Sequence, residues 1–214
     1  MRIFVAGCFV LAFLVPAAAR ASSIFVFTTN TSSLSGTGYI DLQYNALSGA
    51  GYSVASITSF STDGTLGGCV PASACLTGDA SGNLASTVTI GNGALDNSSY
   101  NDYAEAITFG TFVRFLVTLS GPPGGTVDSL FVLTYYNSDY SQYLLSADPN
   151  GASATLDIKP DGTVLIQTYP AAGGSYDTTL GSSVPEPVSV FTALAGLVLL
   201  AGGRFRIGRL TRLR

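Results

Sequence analysis

Tyrosines that could bind a ligand gather in two short segments of the chain. The larger group is Tyr135, Tyr136, Tyr140 and Tyr143, and the smaller is Tyr100 with Tyr103. Aromatic rings on one face of a sheet can stack on sugar rings, so the larger group predicts a carbohydrate-binding surface. Tyrosine is also frequent in strands for packing alone, and the sequence has no tryptophan. Carbohydrate binding is therefore one of two interpretations that stay open.

Oxygen-bearing side chains in turns suggest a calcium site. Asp148 and Asn150 lie in one turn segment, and Asp161 lies in the next one along the chain. Calcium takes roughly six to eight oxygen ligands, which loops between strands can supply. Asp-x-Asn-Gly and Pro-Asp-Gly are also ordinary turn sequences, so a calcium cofactor at these residues remains one alternative.

The composition excludes several kinds of catalysis. There is no histidine, so neither a Ser-His or Cys-His nucleophile pair nor a His-ligated metal site can form. Glycoside hydrolysis needs two carboxylates around one bond, and no spacing marks such a pair. Glu105 is the only glutamate between residues 22 and 185. We therefore predict a non-enzymatic protein.

Charge divides the chain into three parts. Arg114 and Lys159 are the only basic residues between positions 22 and 187, a range that holds all 13 acidic residues, so its net charge is −11. The remaining basic residues lie in the two apolar ends. An acidic middle does not suit nucleic acid, whose phosphates attract lysine and arginine.

The middle of the chain, residues 22–183, has the pattern of a single β domain. Short β-branched and aromatic runs alternate with turn sequences such as Asp63-Gly64 and Asn92-Gly93. Nine strands are predicted, over residues 24–29, 38–44, 52–60, 86–90, 107–119, 129–136, 143–146, 154–158 and 164–168. In the fifth run, Gly110 is the expected position of a bulge. This spacing favours a β-sandwich of the jelly-roll type.

The first 21 residues have the pattern of a secretory signal peptide. Arg2 is followed by an apolar run over residues 3–15, and Ala19-Arg20-Ala21 forms a small-x-small cleavage site. The alternative is a membrane anchor, but the apolar run is shorter than the ~20 residues that span a bilayer. We expect the mature chain to begin at Ser22.

Export has a consequence for the cysteines. Cys8 lies in the leader, which leaves Cys69 and Cys75 in the mature chain. In an oxidising compartment two cysteines this close in a loop are expected to form a disulfide. A metal site or a redox pair is the alternative. However, two thiols without histidine supply few ligands, and the spacing is not Cys-x-x-Cys.

The C-terminal segment, residues 184–214, has three parts. It begins with Pro185-Glu186-Pro187 in the motif of residues 184–187, which stays extended because proline cannot join a helix interior. An apolar run over residues 188–203 is predicted to be a transmembrane helix. A tail over residues 204–214 carries five arginines: Arg204, Arg206, Arg209, Arg212 and Arg214. The positive-inside rule keeps this tail in the cytoplasm and the β domain outside.

This three-part end closely resembles the PEP-CTERM sorting signal of exported bacterial proteins. The resemblance implies a membrane-anchored precursor that an exosortase, a membrane-embedded peptidase or transpeptidase, recognises at Pro185, Glu186 and Pro187. It also implies delivery to the cell surface or to an extracellular polysaccharide matrix, of the biofilm type. The arginines depart from the usual dense cluster, because Ile207, Leu210 and Leu213 separate them. A plain C-terminal anchor with an accidental Pro-Glu-Pro is the alternative.

Overall fold

Alternating apolar and polar residues make most of this chain β-strand. The computed structural model describes residues 23–46, 48–94, 100–120, 125–171 and 178–183. The strands are β1 Ser23–Asn30, β2 Thr37–Ala46, β3 Val54–Thr62, β4 Thr65–Leu66, β5 Leu76–Thr77, β6 Ala80–Gly82, β7 Thr87–Gly91, β8 Asp102–Thr108, β9 Phe112–Leu119, β10 Ser129–Asn137, β11 Tyr143–Leu144, β12 Ala152–Ile158, β13 Val164–Thr168 and β14 Thr178–Ser183. A four-residue 3₁₀ helix covers Ala72–Cys75.

The strands form two antiparallel sheets. The six-stranded sheet has the order β14-β1-β9-β3-β7-β6. The eight-stranded sheet has the order β13-β12-β10-β2-β8-β4, with β11 beside β10 and β5 beside β8. The predicted all-β sandwich is therefore confirmed at the level of two packed antiparallel sheets. The strands belong to one compact unit, Ser22–Pro185.

Aromatic side chains join the two sheets. Phe27 of β1 stacks on Phe115 of β9 with ring centroids 4.9 Å apart, and both belong to the six-stranded sheet. Phe131 of β10, in the other sheet, meets Phe27 edge to face at 5.6 Å. All three are fully buried, so each strand that carries one has a fixed inner face. The residues directly before and after each of these phenylalanines along its strand then point away from the core.

The predicted strand over residues 107–119 is two strands in different sheets. β8 ends at Thr108 in the eight-stranded sheet, and β9 begins at Phe112 in the six-stranded one. Asp63 holds the crossing point, since its Oδ1 accepts hydrogen bonds from the backbone N–H groups of Thr111 and Phe112. A Cβ at Gly110 would lie 2.2 Å from that oxygen. Gly110 therefore marks a change of sheet rather than a bulge.

The short edge strands were not predicted. β4, β5 and β6 have two or three residues each, and such lengths show no periodicity in a sequence. The predicted runs 143–146 and 154–158 correspond to β11 and β12, and the predicted hairpin of β12 and β13 is present.

The disulfide between Cys69 and Cys75 is confirmed. It closes a loop that lies over the core-facing side of β8. There, Glu105 accepts a hydrogen bond from the backbone N–H of Gly68 and another from the Tyr103 hydroxyl, which is 2.5 Å from Oε2. Both Glu105 and Tyr103 are buried, so this carboxylate is an interior group with a partner on each oxygen.

The predicted leader, sorting motif, transmembrane helix and arginine tail lie outside the described residues. Within the part of the chain that the structure describes, none of the helices has the length and apolar character needed to cross a membrane.

Candidate ligand-binding face

Three central strands of the eight-stranded sheet build an unusual outer face. On β2, Ile40 and Leu42 are fully buried in the core, so Tyr39, Asp41 and Gln43 project from the opposite side of the sheet. Antiparallel register then determines their neighbours on β8 and β10.

Registered pairs on this face form rows across the strands. In the first row Tyr39 stands opposite Tyr136 on one side and Ala106 on the other. In the second row Asp41 stands between Thr134 and Ala104, and in the third Gln43 stands between Val132 and Asp102. Bulky rings therefore border a strip that carries small and acidic side chains.

The rings of four tyrosines are in contact. Tyr140 lies 4.1 Å from Tyr39 and 5.0 Å from Tyr136, and Tyr136 lies 5.2 Å from Tyr143, measured between ring centroids. Tyr140 and Tyr143 are 44% and 47% exposed, so the layer that they form is open to solvent. We call the whole set the tyrosine–aspartate face. Its members are Tyr39, Asp41, Gln43, Tyr100, Asp102, Tyr136, Tyr140 and Tyr143.

A tight turn places Tyr140 on this layer. Tyr140 has a φ of 59°, in the left-handed region that bulky side chains rarely adopt. The turn is held by Asn137, whose Oδ1 accepts hydrogen bonds from the backbone N–H groups of Ser141 and Gln142. Strained residues of this kind are concentrated at functional sites, because surrounding structure must maintain them.

Two carboxylates lie beneath the rings. Asp41 and Asp102 are 2% and 7% exposed, and the Oδ1 atom of each has no hydrogen-bond partner among the described residues. Gln43 donates from Nε2 to Asp41 Oδ2 at 3.1 Å and to the Tyr100 hydroxyl at 3.2 Å. A buried polar atom without a partner is rare, because it loses its hydration without compensation.

Burial changes the proton affinity of this face. It raises the pKa of Asp41 from 3.8 to about 7, against an opposing effect of the Gln43 hydrogen bond and with a further increase from Asp102. Burial, and to a smaller extent the negative charge of Asp41, raises the pKa of Tyr136 to about 12. Burial and the same charge also raise the pKa of Tyr100 and Tyr140. Asp41 therefore exchanges its proton near neutral pH.

The arrangement can bind a ligand in two ways. The exposed rings of Tyr140 and Tyr143 offer flat apolar surface, and the buried carboxyl groups beneath them offer negative charge when they are ionised. Sugar rings and organic cations are the ligands whose chemistry matches such a surface.

Three of the four tyrosines predicted to stack on sugar share this outer face, and sugar stacking itself stays a prediction. Tyr136, Tyr140 and Tyr143 meet in the tyrosine–aspartate face. Tyr135 was wrong, because it points into the core, is fully buried and donates its hydroxyl to Thr29. Side chains alternate along β10, so adjacent tyrosines cannot share a face. The second predicted group also divides, with Tyr103 in the core.

The predicted calcium ligands do not meet. Asp148 Oδ2 accepts hydrogen bonds from the backbone N–H groups of Asn150 and Ala152, and Asp161 Oδ1 accepts one from Thr163. These turns lie at opposite ends of β12, whose seven residues span about 20 Å. Asp148, Asn150 and Asp161 therefore cannot form one site, and the prediction that they share one is wrong. Across the described ranges no three acidic or cysteine side chains gather in a way that could hold a metal ion.

Sequence reasoning missed Tyr39, Asp41, Gln43 and Asp102. A signal was present, since an aspartate in the middle of a strand alternating with Tyr39 and Gln43 is unusual for a half-buried sheet. Asp102 could not be found in this way, because the start of β8 was assigned to no strand.

Comparisons with protein-family models, with curated proteins and with solved structures found no match for this chain.

Proposed function

We propose that this chain is a non-enzymatic exported protein, which an exosortase sorts to the cell surface or to an extracellular polysaccharide matrix. The support is the order of segments in the sequence, with a leader over residues 1–21 and the three-part signal over residues 184–214. The Cys69–Cys75 disulfide agrees with an oxidising destination. Before processing, the helix over residues 188–203 holds the precursor in the membrane.

The proposed fold of the exported domain is jelly-roll-like. One sheet contains the neighbouring strands β1, β9, β3 and β7, in that spatial order. The other sheet contains the neighbouring strands β2, β8 and β4. Successive strands β1, β2 and β3 alternate between the sheets, as do β7, β8 and β9. Such crossing connections are typical of two interlocked Greek keys.

A second, molecular role is proposed for the domain, namely polysaccharide binding on the tyrosine–aspartate face. The observation that carries it is the continuous layer of four tyrosine rings, two of them nearly half exposed, above buried carboxylates with unused acceptor oxygens. Sugar rings present apolar faces that can stack on such aromatic rings.

The non-enzymatic part of the proposal is supported by the position of the two carboxylates. Asp41 and Asp102 project from the same face of the same sheet, on neighbouring strands. A sugar lying on this face would have both carboxylates beneath it. Glycoside hydrolysis instead requires carboxylates on the two sides of the scissile bond.

Peptide mapping of the mature C-terminus tests the sorting proposal. The wild-type surface protein should lack residues 204–214, whereas Glu186→Ala should accumulate in the membrane with Arg214 still attached. Ser183→Ala, just before the motif, is the matched control and should be processed normally. Recovery of wild-type surface protein that ends at Arg214 would overturn the proposal.

Affinity electrophoresis in gels that contain soluble xylan, hydroxyethyl cellulose or partially acetylated chitosan tests polysaccharide binding. Wild-type protein should be retarded by at least one polymer, and Tyr140→Ala should lose most of the retardation. Tyr52→Ala is the matched control, since Tyr52 has a similar exposed fraction of 41% but its ring lies beside Gly91 of β7, in the six-stranded sheet. Equal migration of wild type in all gels, or equal retardation of both variants, would contradict the role.

A further inference from the structure

The tyrosine–aspartate face holds two buried carboxyl groups that no basic side chain of the described residues neutralises. Asp41 and Asp102 each retain an Oδ1 atom without a hydrogen-bond partner in the described part of the chain. The groups that act on Asp41 from the neighbouring elements are Gln43 on its own strand, Asp102 on β8, and the hydroxyls of Tyr100, Tyr136 and Tyr140. None of these groups is a cation.

Both basic residues that the structure describes lie elsewhere. Arg114 is on β9 in the other sheet, where its side chain points away from the core between buried Val113 and Phe115. Lys159 is 2.7 Å from both Asp128 and Asp157, so its charge is already paired. Within the described part of the chain, no basic side chain is placed to neutralise Asp41 and Asp102, which leaves this role open to a ligand.

The rings above the carboxylates fit the same ligand charge. The face of an aromatic ring carries partial negative charge and attracts ammonium groups. Tyr100, Tyr140 and Tyr143 are each 44–47% exposed, so a ligand cation can reach them while remaining close to the buried charges. A divalent metal fits less well, because it needs several oxygen ligands in direct contact and no three acidic side chains meet in the described ranges.

We propose that the tyrosine–aspartate face selects glycans that carry free ammonium groups, that is, amino sugars without an N-acetyl group. This inference rests on the proposed polysaccharide binding and specifies its ligand class. The sugar rings stack on the tyrosines, and the ammonium group lies over the carboxylates, whose charge it neutralises.

Ionisation of Asp41 then couples to binding. Burial raises the pKa of Asp41 to about 7, and a neighbouring ammonium group favours the ionised carboxylate, so the ligand lowers this pKa. Binding therefore releases a proton from Asp41 when the solution is slightly acidic, and a neutral N-acetylated glycan releases none.

Isothermal titration calorimetry tests the inference with the full-length chain in mild detergent at about pH 6. The two probes are the hexamer of β-1,4-linked glucosamine, which is charged, and the hexamer of N-acetylglucosamine, which is neutral. We expect the charged hexamer to bind about tenfold more tightly, which lies between the contributions of an exposed and of a desolvated cation–π contact. Titrations in buffers of different ionisation enthalpy should show proton release for the charged hexamer only.

Variants assign the preference to this face. Asp41→Asn and Asp102→Asn should each reduce the affinity ratio of the two hexamers towards one. Asp128→Asn is the matched control, because it removes one negative charge from the same sheet near the start of β10, and it should keep the wild-type ratio. If one of the two face variants does not fold, the other still decides.

The outcomes separate this inference from the proposed function. Equal affinity for the two hexamers, lost in Tyr140→Ala, would overturn ammonium selectivity and leave polysaccharide binding intact. A preference that survives both Asp41→Asn and Asp102→Asn would also overturn it, since the charge of the whole domain would then suffice. Binding of neither hexamer, together with no retardation in any polysaccharide gel, would overturn both.

Discussion

Two buried carboxylates on neighbouring strands of one sheet have opposite environments. Glu105 points into the sandwich and has a hydrogen-bond donor on each oxygen, from Gly68 and Tyr103. Asp41 lies beside it on β2, where Ile40 is the registered partner of Glu105, but points outwards and leaves Oδ1 without a partner. Both are at least 96% buried. Glu105 therefore has a hydrogen bond on each oxygen, as expected of a structural group, whereas Asp41 keeps one oxygen without a hydrogen bond.

The strongest test of this contrast is how the free energy of unfolding depends on pH through Asp41. Its folded-state pKa of about 7 lies above the ordinary 3.8, so this group favours the folded state at low pH and loses that contribution as pH rises through 7. The difference amounts to about 4 kcal/mol. Asp41→Asn should therefore unfold at higher urea than wild type at about pH 8 and at similar urea near pH 4.

Asp128→Asn provides the comparison for that measurement, because Asp128 is exposed and paired with Lys159. Its urea midpoint should follow wild type at both pH values. A lower stability of Asp41→Asn at pH 8 would mean that Asp41 stabilises the fold, and the contrast with Glu105 would be lost.

Removal of the Glu105 carboxylate should lower the stability of the fold, whereas Asp41→Asn should raise it at about pH 8. Glu105→Ala leaves the Gly68 N–H and the Tyr103 hydroxyl without their acceptor, which costs about 3 kcal/mol of unfolding free energy. Urea denaturation at neutral pH measures it. Glu105→Gln keeps the side-chain volume and one acceptor oxygen and should lose less. Equal losses in the two variants would show that the carboxylate charge, which both variants remove, matters at this position rather than the retained acceptor or the volume.

The disulfide should contribute less to the free energy of unfolding than Glu105, over which its loop lies. Replacement of both Cys69 and Cys75 by serine opens a small ring, whose closure is worth about 2 kcal/mol. Thermal unfolding of the variant and of wild type, with and without reductant, checks this value. Reductant should lower the midpoint of wild type only.

Tyr135 and Tyr136 give the smallest and most local comparison, since they are adjacent on β10 and face opposite sides. Tyr135→Phe removes the interior hydrogen bond to Thr29 and should cost about 1 kcal/mol. Tyr136→Phe, at the outer face, should change stability by less than half of that. A larger loss for Tyr136→Phe in urea denaturation would contradict the assignment of the two faces.

Tyr135 and Tyr136 also illustrate how much of the fold could be predicted from the sequence. Runs of alternating residues identified β1, β2, β3, β10 and the β12–β13 hairpin, because one face of each is apolar and the other is not. Clusters of tyrosines along the chain could not be divided by face, since that requires the strand's orientation relative to the core. Once Phe131 and Leu133 are known to be buried, Tyr135 follows as buried in the core and Tyr136 as a half-buried residue on the outer face.

The site itself was harder to predict than the strands. Asp41 and Asp102 are 61 positions apart in the sequence and become neighbours only because β2 and β8 are adjacent in the sheet. Non-consecutive pairing of this kind leaves no local pattern. The change of sheet at Gly110 was hidden for the same reason, as it depends on Asp63, which approaches from a distant turn.

The pairing of the first and last described strands has a consequence for how the domain folds. β1 lies between β9 and β14, and Ile24 is registered with Ser183. Topologies dominated by such distant pairings fold slowly, because a long loop must close before its contacts form. If the chain is exported from its N-terminus, as proposed above, the edge of β1 that pairs with β14 has no partner until β14 has crossed the membrane. Under the export proposed above, this sheet would be completed only after translocation has reached the end of the domain, directly before the proposed sorting motif.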